Sequence, residues 1–373
     1  MIGALALLAW AVLLFFRGGF WRADQRLDAV PEYSDWPEVV AIIPARDEAR
    51  TIGEVVRRHQ ASDYPGGYQV LAVDDGSSDG TGLIAREEGA HVIPAPPLPP
   101  GWSGKLWALQ AGIAEAAATA PGARWLLLTD ADIVHAPATL RRLVAKAEAE
   151  GLGMASLMAR LDAQGFWGGL LVPAFIFFFQ MLYPFPWVNR PGHRVAGAAG
   201  GCVLIRRDVL EEIGGISSIA DALIDDCTLA ARVKQGGHRI WLGLADREVI
   251  SRRDNRRLSS IWSMVARTAF TQLRHSWLLL LAILVGMVLV FLAPPLLVIA
   301  GVLGAGWWKL LAGAIAWAAM IVAYGPTLRL YGQPSWHGLA LPLAAGLYGA
   351  MTLSSALDHW RGHGGAWKGR TYP

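Results

Sequence analysis

Charge is spread so unevenly along this chain that a single polypeptide must serve two solvents. Residues 1 to 16, MIGALALLAWAVLLFF, carry no charged side chain, and from Ser276 onward the only acid is Asp358. Within that tail, WLLLLAILVGMVLVFLAPPLLVIAGVLGA and LLAGAIAWAAMIVAYGPTL are each long enough for a bilayer span of ~20 apolar residues. GLALPLAAGLYGAMTLSSAL is a weaker third. Of 373 residues 54% are hydrophobic and 17% charged, too apolar for a soluble domain and too charged for a pure membrane bundle. The five tail bases (Lys309, Arg329, Arg361, Lys368, Arg370) leave residues 17 to 275 at −1 of an overall +3. The basic balance therefore comes from membrane flanks, and nucleic-acid binding gains no support.

The first apolar stretch meets Arg17, Arg22 and Arg26 and has neither a basic leader nor an obvious cleavage site, which predicts an uncleaved anchor over 1–17. Positive charge just after it places the middle of the chain in the cytoplasm. Three spans over 276–358 would leave Arg361, Lys368 and Arg370, in a tail over 359–373, on the far side. Either one segment lies in the interface or Pro294-Pro295 breaks a hairpin; the sequence leaves the number of spans open. Most of the 17 tryptophans fall at span edges, where the ring anchors the interface. Two cysteines, Cys202 and Cys227, make no disulfide framework and suit a reducing compartment.

The charged middle alternates strand and helix. VVAIIPARDEARTIGEVVRRH, QVLAVDDGSSDGT and ARWLLLTDADIV each open on a short apolar, β-branched or leucine-rich run and end in turn residues. Such alternation predicts an α/β domain over 18–257 with a mainly parallel sheet covered on both faces. HVIPAPPLPPGWSGK begins as a strand and becomes a stiff proline-rich connector. FWGGLLVPAFIFFFQMLYPFPWV, 166–188, is almost uncharged. A crossing there would part the later acids from the earlier ones, so an interfacial segment is expected. Over 258–275 an amphipathic interface helix is expected, with Leu258, Ile261, Trp262, Val265, Ala269 and Leu273 on one stripe and Arg267 opposite. Just upstream, SRRDNRR is expected to meet lipid phosphate.

Three acidic pairs carry the chemistry. Asp74 and Asp75 end the second strand and feed a glycine-rich turn, with Ser78 or Asp79 placed to cap the next helix. TDAD places Asp130 and Asp132 at alternate positions of a strand end, on one side if the strand persists. Like charges there are costly without a cation, and Mg²⁺ or Mn²⁺ with oxygen ligands would relieve them and grip a diphosphate. Asp225 and Asp226 open a helix, where they either stabilise its dipole or supply a general base. Neighbouring acidic strand ends in one sheet define a cleft. Lys105 is either a donor-phosphate contact or an exposed helix-start lysine.

IIPARDE, VDDGSSDGT, TDAD, GGCVLIRR and DDCTLAAR, in this order, resemble the inverting glycosyltransferases of family 2. The apolar start, GWSGKLWALQAG, the apolar insert and IWSMVARTAF are similar to the hopene-associated glycosyltransferases of bacterial hopanoid biosynthesis. Membrane-bound ceramide glucosyltransferases are similar in plan. The resemblance implies a Rossmann-like GT-A fold between membrane helices, facing the cytoplasm at the bacterial inner membrane. It implies a UDP-sugar donor and a hopanoid-like or sphingolipid-like acceptor in the bilayer. The base and ribose would fall on Asp74 and Asp75, with Pro44, Arg46 and Glu48 near the uracil. Asp130 and Asp132 would hold ribose, diphosphate and metal, with Asp132 the direct ligand, and Asp226 would be the base. Related synthases carry Gln-x-x-Arg-Trp where this chain has Met264-Val265-Ala266-Arg267-Thr268, so only the arginine remains and a processive site is disfavoured. Arg267 then serves either the diphosphate or lipid phosphate. The rival readings are a processive polysaccharide synthase and a catalytically dead membrane binding or transport partner.

Overall fold

The computed structural model describes residues 1–27 and 33–362, so Lys368, Arg370 and most of the expected 359–373 tail lie outside the described residues. Two compact units emerge, neither continuous in sequence. A polar unit takes residues 25–161 and 187–253, and an apolar unit takes 1–24, 162–186 and 254 onward.

The polar unit is built on nine strands: β1 Val39–Ala45, β2 Tyr68–Asp74, β3 His91–Pro94, β4 Trp125–Thr129, β5 Ile133–His135, β6 Met154–Met158, β7 Cys202–Arg206, β8 Ile240–Leu244 and β9 Val249–Ser251. Seven form one sheet in the order β3-β2-β1-β4-β7-β6-β8, and β5 and β9 form a separate antiparallel pair. The mainly parallel α/β sheet of the sequence reading is observed. Neighbours in the sheet run parallel except at β7, which is antiparallel to both β4 and β6. Helices bury both faces, which is why β4 and β8 are apolar at almost every position. Helix Gly104–Thr119 lies hard against β1 and β2: a Cβ on Gly112 would come within 2.5 Å of Ile42 Cγ2 and 3.0 Å of Val73 Cγ2. On the other face Leu140, Leu143, Val144 and Ala147 of helix Thr139–Ala149 join Trp125 and Leu127 in the core.

Among the described residues four helical stretches are long and apolar enough to cross a membrane: Gly165–Val188, Trp277–Ala305, Trp307–Leu330 and Ser335–Trp360. The first helix, Ile2–Phe16, has 15 residues, shorter than a span of ~20. Pro294-Pro295 does not open a hairpin. The chain continues through a π-helical turn, Val288–Leu292, into helix Ala293–Ala300. Both residues that would donate to the Val290 carbonyl in an α- or π-turn are prolines, which lack the N–H. Trp10 Nε1 donates to that carbonyl at 2.9 Å. The same device recurs at Pro173 inside helix Gly165–Leu182, where Gln333 Nε2 donates to the Gly169 carbonyl at 3.0 Å. Chain reversal comes instead at Gly304 and Gly306, with φ of 90° and 110°.

The single helix expected over 258–275 is broken into Leu258–Ala266 and Ala269–Gln272. Phe270 gives its N–H to Ser355 Oγ at 3.0 Å, diverting it from the helical ladder. Ile261 and Leu273 of the expected apolar stripe are buried, while Trp262 Nε1 donates to Ser354 Oγ at 3.2 Å. Within SRRDNRR, Arg252 Nε pairs with Glu54 Oε2 at 2.9 Å and Arg256 Nη2 donates to Gln164 Oε1 at 2.9 Å.

Candidate active site

Because β1, β2 and β4 are parallel, their carboxyl ends share one edge, and the motif residues that follow them are delivered together. Asp74 closes β2 and its Oδ1 accepts the Ser77 N–H at 2.9 Å, folding the glycine turn back on the strand. A Cβ on Gly82 would sit 2.5 Å from Asp74 Oδ2, so a side chain there would have to displace the Asp74 carboxylate. Asp75 is 6% exposed, and Arg46 Nη1 holds its carbonyl at 3.0 Å and its Oδ2 at 3.4 Å. The turns after β1 and β2 are laced to each other. Ser78 N–H donates to Asp47 Oδ1, Ala49 N–H to Asp79 Oδ2 and Glu48 N–H to Thr81 Oγ1, at 2.9, 3.0 and 2.8 Å. The helix after the turn, Thr81–Glu87, starts on Gly80, and Asp79 takes the Thr81 N–H at 3.1 Å, so the expected capping acid works one residue outside the cap.

TDAD departs from the expected strand. β4 ends at Thr129, and Asp130, Ala131 and Asp132 form the turn into β5. The two carboxylates nevertheless feel each other. Burial, then the charges of Asp130 and Glu48, push the Asp132 carboxyl up to about 6. Ser251 Oγ donates to Asp132 Oδ2 at 3.4 Å, and Arg252 N–H to the Asp132 carbonyl at 2.7 Å, tying this turn to β9.

The third pair reaches the second through one lysine. Lys105 Nζ lies 2.9 Å from Asp130 Oδ1 and 3.1 Å from Asp225 Oδ2. The neighbouring Asp226 accepts the Gly200 N–H on Oδ2 at 2.8 Å and the Cys227 N–H on Oδ1 at 2.7 Å. Burial and the Asp225 charge push the Asp226 carboxyl up to about 6, against the pull of Lys105. It is thus ionised at neutral pH yet more basic than an ordinary carboxylate, as suits a general base. Pro44, Lys105, Asp130, Gly200, Asp225 and Asp226 line one small cavity of ≈ 20 Å³, room for little more than a water.

Asp130, Asp225, Asp226 and Lys105 are therefore one cluster, with Asp132 and Glu48 beside it. Arg46, Asp74 and Asp75 stand along the same sheet edge. Arg267 belongs to the apolar unit, just past helix Leu258–Ala266. The sequence reading missed the Gly200 backbone donor, the lacing by Asp47, Asp79 and Thr81, and Ser251 beside Asp132. The glycine pair in GGCVLIRR was the available signal for the first.

Residues 40–214 match the family described as Glycosyl transferase family 2. That match, just under half of the chain, takes in β1 to β7 with the first two acidic pairs. The protein is a glycosyltransferase with a GT-A fold, and the acid cluster occupies the carboxyl edge of the sheet. No curated protein sequence matches the chain. Among solved structures, a mannosyltransferase of Pyrobaculum calidifontis in complex with GDP-Man and Mn²⁺ is 20% identical, with a TM-score of 0.55 over 96% of this chain and 99% of that one. Glucosyl-3-phosphoglycerate synthase of Mycobacterium tuberculosis in complex with Mn²⁺ and UDP-glucose is 17% identical, covering 65% of this chain and 84% of its own, with a TM-score of 0.41.

The glycosyltransferase domain has a donor set suited to a hard divalent ion. Asp130 and Asp132 offer carboxylate oxygens, and Asp132, raised by burial and then by the charges of Asp130 and Glu48, is a carboxylate that a cation would stabilise. Among the described residues no three His, Cys, Asp or Glu side chains converge into a closed cage. That suits an ion which takes its remaining ligands from a substrate diphosphate.

Proposed function

We propose that this enzyme transfers one sugar, with inversion, from a UDP-sugar to the hydroxyl of a membrane lipid, in hopanoid or related glycolipid synthesis at the bacterial inner membrane. The observation that carries the reading is the Asp130–Lys105–Asp225 bridge, which sets the base Asp226 beside the carboxylates assigned to the donor diphosphate. Four membrane-length helices in the same chain favour an acceptor that stays in the bilayer.

Asp74, Asp75, Pro44, Arg46 and Glu48 would receive the uridine end of the donor. Asp132 and Asp130 would hold Mg²⁺ or Mn²⁺, which supplies charge stabilisation to the departing diphosphate. Asp226 accepts the acceptor's hydroxyl proton while the oxygen attacks the anomeric carbon and the bond to UDP breaks. The Gly200 and Cys227 N–H groups fix the Asp226 carboxylate in place, so it needs no reorientation as it takes the proton. Lys105 neutralises part of the acid cluster, and Arg267 is proposed as a further cation for the diphosphate.

The test is to incubate the full chain in nanodiscs with UDP- and GDP-sugars and a bacterial lipid extract. Mass spectrometry should find a lipid heavier by one sugar, and NMR an inverted anomeric centre. Calorimetry with UDP should lose most of its affinity in EDTA and in Asp132→Ala. A retained configuration, or UDP binding indifferent to metal, would sink the mechanism.

A further inference from the structure

A second and larger cavity, ≈ 550 Å³, opens elsewhere in the polar unit. It forms where residues 188–196 meet the C-terminal end of helix Asp225–Gln235 and the start of β8. Asp226 stands at the opposite end of that helix, so roughly 15 Å of helix separates the cavity from the acid cluster.

Its chemistry is one-sided. Arg190, His193, Arg194, Lys234, His238 and Arg239 line it, and no Asp or Glu does. The walls are fixed. Lys234 Nζ donates to the carbonyls of Trp187, Val188 and Val195 at 3.3, 2.6 and 2.8 Å, clamping the loop onto the helix. Asn189 exchanges hydrogen bonds with the Leu242 backbone at 3.0 and 2.7 Å, pinning the loop to β8. His193 Nδ1 accepts the Val195 N–H at 3.2 Å, so its neutral ring carries the proton on Nε2. His238 meets the Glu212 carboxylate at 2.9 Å, one negative charge just outside the lining, and Arg239 donates to the Glu150 backbone carbonyl, so the net charge of the cleft stays positive through Arg190, Arg194, Lys234 and Arg239. Arg190 and Arg194 have no carboxylate partner among the described residues.

Like charges held together in a fixed cleft create a potential that favours an anion. The volume lies in the range of headgroup-sized ligands and well above that of one inorganic phosphate. The loop also has the composition of an interface anchor. Trp187, its ring stacked on His193 at 4.8 Å, and the arginines follow within a few residues of the membrane-grade helix Gly165–Leu182. We infer that this cleft is a second ligand site, separate from donor and acceptor, that takes the phosphate of an acidic phospholipid headgroup.

Native mass spectrometry of the full chain, extracted from membranes containing phosphatidylglycerol, tests the inference. The wild type should retain one phosphatidylglycerol. Arg190→Gln/Arg194→Gln should retain about thirtyfold less, from the attraction of each arginine to anionic lipid. Arg57→Gln/Arg58→Gln, remote from the cleft, should retain as much as the wild type, and all three should bind UDP alike. If the double variant fails to fold, Arg194→Gln alone must show a loss of about fivefold. Equal retention by wild type and cleft variants overturns the site. A soluble anion is distinguished in phosphatidylcholine nanodiscs: if inorganic phosphate stabilises the wild type and not the variant, and no phosphatidylglycerol is retained, the lipid assignment is overturned.

Discussion

Asp226 is the residue on which the proposed chemistry turns, and it can be changed without changing its shape. Asparagine would keep the shape and one of the two contacts, its single amide oxygen accepting from Gly200 or from Cys227, but cannot accept a proton at neutral pH. General-base catalysis contributes about 10²–10⁴-fold, so Asp226→Asn should slow transfer by that factor and leave UDP affinity near normal. Asp225→Asn should be milder, since Asp225 bonds Lys105 and has no assigned proton to move. A dead Asp225→Asn beside an active Asp226→Asn would move the base by one residue. The acids themselves were legible in the sequence because strand ends followed by paired aspartates are unusual. Their connection through Lys105 was not, since sequence spacing carries no distance between residue 105 and residue 225. A second residue-scale effect lies beneath the turn. His59 and His135 are buried with ring centroids 4.5 Å apart, His59 Nδ1 at 2.7 Å from Tyr68 Oη and His135 Nε2 at 3.1 Å from Thr129 Oγ1. Burial pushes His59 down to about 4 and His135 well below its ordinary value. Both stay neutral in the fold but take protons near pH 6.5 once unfolded. The stability they permit is therefore whole above pH 6.5 and drains away as pH falls toward about 4. Thermal unfolding across that window should show the loss, and His59→Gln/His135→Gln should flatten it.

At the scale of elements, the sheet was readable from its apolar runs and the helices from their spacing, because burial on both faces leaves few other patterns open. The direction of β7 was not readable: Cys202–Arg206 looks like any other buried strand, and only its partners fix it antiparallel. The end of β4 was misjudged for a similar reason, since Ile133–His135 continues the apolar run after a two-aspartate turn. In the apolar unit a break at the proline pair is one of two readings the sequence leaves open, and the helix runs on there because a side chain replaces the missing donor. Trp10→Phe keeps the edge-on packing against Phe291 and removes only the N–H. It should cost about 1 kcal/mol, the scale of one hydrogen bond in this setting, in thermal stability measured in detergent. An unchanged melting curve would mean that the Val290 carbonyl finds another donor.

For the whole molecule, the pairing of β6 with β7 bears on topology. Met154 lies opposite Ile205 in the sheet, although helix Gly165–Leu182 intervenes in sequence. Both flanks of that helix must therefore share one compartment, which a single crossing would forbid. Single cysteines at Ala149 and Asp221, in a background with Cys202 and Cys227 removed, should label from the same face of sealed vesicles. Labelling from opposite faces would overturn this topology. The same interleaving also dictates an order of manufacture. When the ribosome has released the first 161 residues, β4 has one neighbour, β1, and its other edge stands open until residues 202–206 emerge. An open central edge is the part of a half-made sheet most exposed to wrong pairing. Helix Gly165–Leu182 emerges before β7 does, so on the membrane topology proposed here its delivery to the bilayer would come before that edge can close. If that delivery paused at residue 165, the half-made sheet would wait with its central edge open, and membrane delivery would act as a folding step for the catalytic half.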